Sequence, residues 1–313
     1  MSVQSVEQGF AEHVLPDAIE IGTGTWAWGD KLVWGFGKGY SDADVRAAFD
    51  ASVNAGVTFF DTAELYGFGT SERLLGQFMR ESGQKVYVAT KFLPMPWRVT
   101  SGQLIRALRG SLKRLGLAQV DLYQIHWNMP TFPVANAANA LADALDAGLT
   151  RAVGVSNYNR EQTIRAHQTL AKRGYPLASN QVEYSLINRK IERDGTMAAC
   201  REHNVRIIAY SPLGMGLLTG KYTVENPPAG YRARQARKLL PKLPPLIEAL
   251  REIGKAHGGK SPAQVALNWT ICKGTLPIPG AKNAKQMEHN AGAIGWRLSE
   301  DEVARLDEVS EGF

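Results

Sequence analysis

Four ionisable side chains of different types follow three successive apolar segments of this chain. Asp61 and Tyr66 lie at and just after VTFFDT, Lys91 ends KVYVATK, and His126 ends VDLYQIH. An acid, a phenol, an ammonium and an imidazole together suit proton transfer to a carbonyl oxygen whose charge changes during reaction. Because a nearby ammonium stabilises a phenolate, we expect Lys91 to lower the pKa of the Tyr66 phenol from its ordinary value of about 10.

The segments that carry these residues alternate with helical patterns along the chain. Helix 41–56 is an example, because Val45 and Phe49 recur at four-residue spacing after Ser41, a capping residue, and before Gly56. Further helices are predicted at 101–115, 135–147, 160–173 and 195–203. The strand-like segments are IEIGTGT, VTFFDT, KVYVATK, VDLYQIH, RAVGVSN, ASNQVEY, VRIIAYSP and TLPIPG. Eight strands with intervening helices predict an α/β fold, a (β/α)8 TIM barrel that forms a single domain over residues 1–313.

An open, doubly wound sheet is the alternative, since periodicity does not reveal closure. Its dinucleotide-binding version is disfavoured because no helix directly follows the glycines of IEIGTGT. Two longer connections, 32–40 and 213–243, interrupt the alternation, and connections of this length in a compact domain are usually functional or disordered. In a barrel the four ionisable groups would meet at the C-terminal ends of the strands, where such folds place their active sites.

The strings FFDTAELYG, ATK and LYQIHW, in this order, resemble the aldo-keto reductase family, and the resemblance runs from about residue 21 to about residue 306. It implies a metal-free NADPH-dependent oxidoreductase that reduces aldehydes or ketones to alcohols by direct hydride transfer. Tyr66 would donate the proton, Lys91 would stabilise the phenolate, Asp61 would hold Lys91, and His126 would orient the carbonyl. Within the family the sequence looks most like the plant and bacterial branch with pyridoxal-reductase-like members.

The same resemblance implies cofactor-binding residues. Ser156 and Asn157 of GVSN and Gln181 of NQVEY would bind the nicotinamide carboxamide, and hydroxyl and amide groups suit a carboxamide that both donates and accepts. Tyr210 would stack on the nicotinamide ring. The remaining contacts on this side would come from the first strand, from AYSPLG and from the start of the 213–243 loop over the cofactor: Gly24, Thr25, Trp26, Ser211, Leu213, Gly214 and Lys221.

The string IPGAKNAKQMEHN matches the family's adenosine-phosphate site. Gly280 allows close backbone approach, a helix beginning near residue 283 directs amides at an anion, and Lys282 adds positive charge, which favours NADPH over NADH. Gln286 and Asn290 fit polar positions of the family, whereas His289 replaces a glutamate often found there. Aromatic walls of the substrate pocket are expected at Trp28, Phe92 and Trp127.

Composition limits the other function classes. Hydrophobic residues make up 44% and charged residues 21%, as in ordinary soluble proteins. The N-terminal residues lack a signal-peptide pattern, and no apolar run is long enough for a bilayer, so we expect a cytoplasmic protein without membrane contact.

Cys200 and Cys272 are expected to be buried thiols in helices, without a metal. The net charge is +6, but no nucleic-acid-binding module accompanies the basic cluster 232–238. We interpret this cluster as a solvated loop, and attraction of an anionic cofactor or substrate is the alternative.

Two other functions stay open at this point. A Schiff-base aldolase would also place a lysine such as Lys91 at a barrel strand end, but it leaves GVSN, AYSPLG and IPGAK without a role. A regulatory partner subunit, like the potassium-channel β subunits, would keep the barrel and its cofactor. The expected partner is a small carbonyl compound, while its identity, the direction of the reaction and the oligomeric state are not determined by the sequence.

Overall fold

The computed structural model describes residues 18–313, and the first 17 residues lie outside the described part of the chain. Eight parallel strands form one sheet in sequential order. They are β1 (Gly22–Gly24), β2 (Phe59–Asp61), β3 (Tyr87–Phe92), β4 (Val120–Ile125), β5 (Thr150–Ser156), β6 (Ser179–Glu183), β7 (Arg206–Tyr210) and β8 (Leu276–Pro277).

The sheet closes on itself next to β8. The backbone amide of Gly24 donates to the carbonyl oxygen of Pro279 over 3.1 Å, and Gly24 forms a parallel bridge with Gly280. A Cβ atom at position 24 would lie 2.8 Å from the carbonyl oxygen of Ile278, so glycine is required for the approach. The predicted (β/α)8 barrel is therefore confirmed, and the open doubly wound alternative is wrong.

Helices cover the outside of the barrel. They are α1 (Asp42–Asn54), α2 (Thr70–Ser82), α3 (Ser101–Leu115), α4 (Val134–Asp146), α5 (Arg160–Ala171), α6 (Lys190–Arg193), α7 (Thr196–Glu202), α8 (Tyr231–Leu239), α9 (Leu243–Ala256), α10 (Pro262–Cys272), α11 (Ala284–Ala291) and α12 (Glu300–Val309). At the start of α1, the Ser41 amide donates to the Asp44 carboxylate over 2.8 Å, as its sequence predicts. Cys200 and Cys272 both lie in helices, Cys200 fully buried and Cys272 partly exposed.

The 213–243 connection is more ordered than its sequence predicts. It contains a 3-10 turn, Gly214–Thr219, and helix α8, and it ends in a second 3-10 turn, Leu240–Lys242. The interpretation of the basic cluster 232–238 as a loop is therefore wrong, because these residues belong to α8. None of the helices in residues 18–313 has the length and apolar character that a bilayer crossing requires.

The strands place two kinds of residue on the barrel axis. Side chains alternate across a strand, so every second residue faces inward. The lower inward positions form an apolar cluster of Phe59, Ala89, Leu122, Ala152, Ile208, Leu276 and Ile278. Two residues further along three of these strands, the inward positions are the buried polar residues Asp61, Lys91 and Gln124. The strand period thus sets a polar layer on an apolar floor, at the C-terminal end of the barrel.

Candidate active site

Asp61 and Lys91 form a buried ion pair at the centre of this polar layer. The Lys91 ammonium lies 2.5 Å from the Asp61 Oδ1 atom and also donates to the carbonyl oxygen of Thr62 over 2.8 Å. Its third acceptor is the hydroxyl of Tyr66, at 3.2 Å. Burial disfavours the ammonium, but Asp61 and Tyr66 outweigh it and raise the pKa of Lys91. Lys91 is therefore a fixed positive charge beside the phenol.

The second carboxylate oxygen of Asp61 is held by two amides. Gln181 Nε2 donates to Asp61 Oδ2 over 2.8 Å, and Gln124 Nε2 donates to the same atom over 3.3 Å. Both glutamines are buried. Gln124 is a site residue that the sequence reasoning missed, although its inward register, two residues after Leu122 in β4, was a usable signal. These donors compensate the buried carboxylate, since buried charges need hydrogen bonds as well as a partner.

Tyr66 reaches the ion pair from a tight turn that follows β2. Residues 66–69 form a 3-10 turn in which Gly67 and Phe68 both have left-handed backbone angles, with φ of 55° and 52°. A Cβ atom at position 67 would lie 2.7 Å from the carbonyl oxygen of Gly29, so the turn packs directly on the β1–α1 connection. Burial raises the pKa of the Tyr66 phenol, and Lys91 opposes that shift without cancelling it. The phenol is therefore protonated at neutral pH, whereas the sequence alone suggested a lowered pKa.

His126 lies on the other side of the phenol, one residue after β4. Its ring is edge-on to the Tyr66 ring, with 5.7 Å between the centroids. Burial, with a smaller contribution from the Lys91 charge, lowers the pKa of His126 to about 3. The imidazole is consequently neutral, so it can donate a hydrogen bond to a substrate oxygen but has no extra proton to give.

Three of the four groups, Asp61, Tyr66 and His126, line a cleft of about 1610 Å³. Pockets for one small ligand usually have about 300–1,000 Å³, so this cleft has room for a large cofactor and a substrate together. Its basic lining residues are Lys31, Arg73, Lys221, Lys282 and Lys285. Positive charge of this density attracts an anionic ligand.

A cluster of amide and hydroxyl groups faces the cleft beyond the tetrad formed by Asp61, Tyr66, Lys91 and His126. Ser156 Oγ donates to the carbonyl oxygen of Gln181 over 2.8 Å, and Asn157 Nδ2 donates to Ser156 Oγ over 3.0 Å. Tyr210 donates its hydroxyl to Asn157 Oδ1 over 2.9 Å. All four residues line the cleft. Donors and acceptors fixed in this way suit a carboxamide, and the half-buried Tyr210 ring offers a flat surface beside them.

The far end of the cleft is built by the segment after β8 and the start of α11. Asn283 caps α11 by accepting from the Gln286 amide over 3.0 Å, and Gln286 Oε1 accepts from the Lys282 amide over 2.8 Å. Gly280 and Asn290 also line this end. These backbone contacts hold a cationic loop at a helix N-terminus, an arrangement that fits a phosphate.

Comparison with known proteins agrees with this geometry. Residues 20–311 match the model of the aldo/keto reductase family. The chain belongs to that family. Among curated relatives of this aldo/keto reductase, the chloroplastic pyridoxal reductase of Arabidopsis thaliana is 45% identical over 300 residues, which cover 92% of this chain and 82% of the relative. An aldo-keto reductase of Schizosaccharomyces pombe, whose name includes NADP(+), is 33% identical over 85% of this chain and 82% of its own length.

Solved structures give the same result for this aldo/keto reductase. The glycerol dehydrogenase of Gluconobacter oxydans superposes with a TM-score of 0.82 at 27% identity, covering 93% of this chain and 90% of its own. An aldo/keto reductase from Klebsiella pneumoniae, solved in complex with NADP and acetate, has a TM-score of 0.75 at 30% identity, with 95% and 92% of the two chains covered. The family that the sequence motifs indicated is thereby confirmed.

Most residues predicted for cofactor and substrate line the cleft of this aldo/keto reductase. Beyond those described above, the lining includes Gly24, Trp26, Trp127, Ser211, Leu213, Lys221 and His289. His289 stands where a glutamate was expected, and burial lowers its pKa, so it presents a neutral ring at this position. The start of the 213–243 connection thus lies at the cleft, as predicted, whereas the described side chains of α8 do not belong to its lining.

Four predicted residues lie elsewhere in this aldo/keto reductase. Trp28 and Phe92 are fully buried and belong to the core; Trp28 donates to the carbonyl oxygen of Ala281 over 2.9 Å. Neither lines the cleft, because Trp28 packs against Phe60 and Phe78, and Phe92 packs against Phe132. Thr25 is fully buried, and its hydroxyl donates to the carbonyl oxygen of Asp61 over 2.9 Å. The fourth, Gly214, has φ of 54° and is buried beside Ile187.

Proposed function

We propose that this protein uses NADPH to reduce aldehydes or ketones to alcohols, with Tyr66 as the proton donor. The observation that carries the proposal is the hydroxyl of Tyr66, 3.2 Å from the Lys91 ammonium and directly beside the neutral ring of His126 in the same cleft. Bound NADPH supplies the hydride. The amide cluster and the cationic loop after β8 fit its carboxamide and phosphate ends, respectively.

Each group of the tetrad has a distinct task in this proposal. Tyr66 is protonated in the resting protein, so it transfers its proton to the substrate oxygen as negative charge develops there. Lys91 then stabilises the phenolate, and Asp61 keeps Lys91 charged and in place. His126 donates a hydrogen bond to the same substrate oxygen and fixes its position. Water restores the proton of Tyr66 after the alcohol leaves.

The aldolase alternative is disfavoured by the state of Lys91. A Schiff-base lysine needs a neutral amine and therefore a lowered pKa, whereas the pKa of Lys91 is raised and its ammonium makes three hydrogen bonds. Treatment with borohydride in the presence of substrate should leave the mass of the protein unchanged. A substrate adduct on Lys91 would establish the aldolase instead.

Pyridoxal is the first carbonyl compound to test, because a relative with 45% identity is named as a pyridoxal reductase. Oxidation of NADPH should be followed with pyridoxal beside a panel of aldehydes and ketones. Tight NADPH binding without turnover of any carbonyl would favour the regulatory-subunit alternative. Cytoplasmic location stays a prediction, and the Arabidopsis relative carries the word chloroplastic in its name.

The decisive experiment for Tyr66 is the Tyr66→Phe variant, which removes the hydroxyl and little volume. We expect kcat to fall by about 100- to 10,000-fold, the usual contribution of general acid catalysis. NADPH affinity, measured by fluorescence titration, should stay within about twofold, since the hydroxyl has no part in binding the phosphates. A variant that reduces a good aldehyde at nearly the wild-type rate would remove Tyr66 from the mechanism.

A further inference from the structure

Lys282 contacts a segment that is distant in sequence and lines the cleft near Tyr66. Its ammonium donates to the carbonyl oxygen of Trp34 over 2.9 Å. The same ammonium lies 5.0 Å from the centre of the Trp34 ring and 4.4 Å from the centre of the Tyr40 ring. Cations within about 6 Å of an aromatic centroid are attracted to the ring face. Lys282 therefore links the loop after β8 to residues 30–40, which we call the front loop.

The front loop has no helix or strand, and local hydrogen bonds together with the core residues Phe36 and Tyr40 hold it in place. The Asp30 carboxylate accepts from the amides of Val33 and Trp34, over 2.7 and 3.1 Å. Tyr40 donates its hydroxyl to the carbonyl oxygen of Ala27 over 2.6 Å. Trp34 is thus held at its amide by Asp30 and at its carbonyl by Lys282. Loss of the Lys282 hydrogen bond should loosen the backbone at Trp34 measurably, because no helix or strand holds the segment there.

An aromatic stack continues from Trp34 to the proton donor. The Trp34 ring is edge-on to Trp26, with 5.5 Å between centroids, and Trp26 stacks on Tyr66 at 6.3 Å. All three rings line the cleft. Lys91 contacts the hydroxyl of Tyr66, whereas Trp26 stacks on its ring within the cleft. Lys282 stands at the outer end of the stack.

We propose that Lys282 is a positioning residue for the carbonyl substrate, acting through Trp34 and the front loop, in addition to facing the phosphate end of the cofactor. The proposal rests on the proposed carbonyl reduction. Its physical basis is that one ammonium holds the backbone and the ring of Trp34, and Trp34 in turn supports the Trp26 wall. A lysine that only bound a phosphate would leave the affinity for the carbonyl compound unaltered once cofactor saturates.

Steady-state kinetics with each cofactor at saturation separate the two roles. We expect Lys282→Met to raise the carbonyl KM about tenfold with NADPH and also with NADH, in keeping with the loss of a hydrogen bond to a charged group. Lys282→Arg keeps the charge and should restore most of the affinity. Lys38→Met, at an exposed position of the same loop that is outside the cleft lining, is the matched control and should leave the KM unchanged. An unaltered carbonyl KM with saturating NADH would overturn the proposal.

A double-variant cycle tests the route through Trp34. In a Trp34→Ala background, Lys282→Met should change the carbonyl KM by less than about twofold, because the group it positions is gone. Equal fold-changes in both backgrounds would overturn this route. Circular dichroism and NADPH titration establish that each variant is folded, so a loss of carbonyl affinity is not confused with unfolding.

Hydrogen exchange keeps the proposal testable without any turnover. In cofactor-free protein, Lys282→Met should speed amide exchange in peptides that cover residues 30–40, whereas Lys38→Met should not. Unchanged exchange in the lysine-282 variant would refute the contact with the front loop while leaving carbonyl reduction intact. Faster exchange together with an inactive wild-type protein would refute the proposed reduction instead.

Discussion

The ion pair of Asp61 and Lys91 makes a sharp prediction about stability. Both side chains are buried, and Lys91 is completely shielded from water. Removal of one partner from a buried pair costs about 3–5 kcal/mol, because the other charge is left uncompensated. In Asp61→Asn the ammonium has only neutral acceptors, namely the amide oxygen at position 61, the carbonyl oxygen of Thr62 and the hydroxyl of Tyr66. We therefore expect Asp61→Asn to lower the free energy of unfolding by about 3–5 kcal/mol.

Lys91→Met leaves the opposite charge behind. The Asp61 carboxylate would keep two amide donors, Gln181 and Gln124, and we expect a loss in the same range of about 3–5 kcal/mol. The double variant Asp61→Asn/Lys91→Met contains neither charge, so it should be more stable than each single variant. All three should lack reductase activity, because each lacks one or both of the charged groups beside Tyr66.

The assay is urea unfolding of the cofactor-free protein, monitored by both circular dichroism and tryptophan fluorescence. Coincident transitions from the two probes support two-state behaviour. Glu252→Gln, which breaks an exposed pair with Arg305, is the control and should change the free energy of unfolding by less than about 1 kcal/mol. If the losses of the single variants add up in the double variant, to about 6–10 kcal/mol, the two charges do not compensate each other and the reasoning is refuted.

Three other predictions follow from the site. His126 has a pKa of about 3 in the folded protein and 6.5 as its ordinary value. Between these two values the imidazole is protonated in the unfolded state and neutral in the folded state, so the free energy of unfolding decreases as the pH falls through this range. Between pH 7 and pH 4, wild type should lose about 3 kcal/mol more than His126→Gln in urea titrations, and parallel curves would contradict this. Gly67→Ala should lower kcat and stability because its Cβ would lie 2.7 Å from the Gly29 carbonyl oxygen, whereas Gly148→Ala, with φ of 66° and no atom within 4 Å, should cost only about 1–2 kcal/mol. Equal effects on kcat would show that the turn does not position Tyr66. Lys282→Ala should weaken NADPH binding by roughly 10- to 150-fold and NADH binding much less; fluorescence titration checks this, and equal losses would indicate a damaged loop.

The barrel and the tetrad could be predicted from the sequence because their signals are local. Apolar runs of strand length alternate with amphipathic helices, and each run ends at a polar or ionisable residue. Asp61 stands two residues after Phe59, and Lys91 two residues after Ala89, so the strand period puts both on the inward face of the barrel. The family motifs pointed to the same four groups, and their roles stay a prediction.

Only the tertiary structure decided which side chains face the cleft and in what state of protonation. Trp28 lies beyond the end of β1, where the strand period no longer predicts a direction, and it turns into the core. The neutral state of His126 and the protonated state of Tyr66 follow from burial, which no single segment determines. Lys282 reaches Trp34 across 248 positions of sequence only because β8 returns to β1 when the barrel closes. Local pattern sets faces and elements, whereas contacts between loops depend on closure.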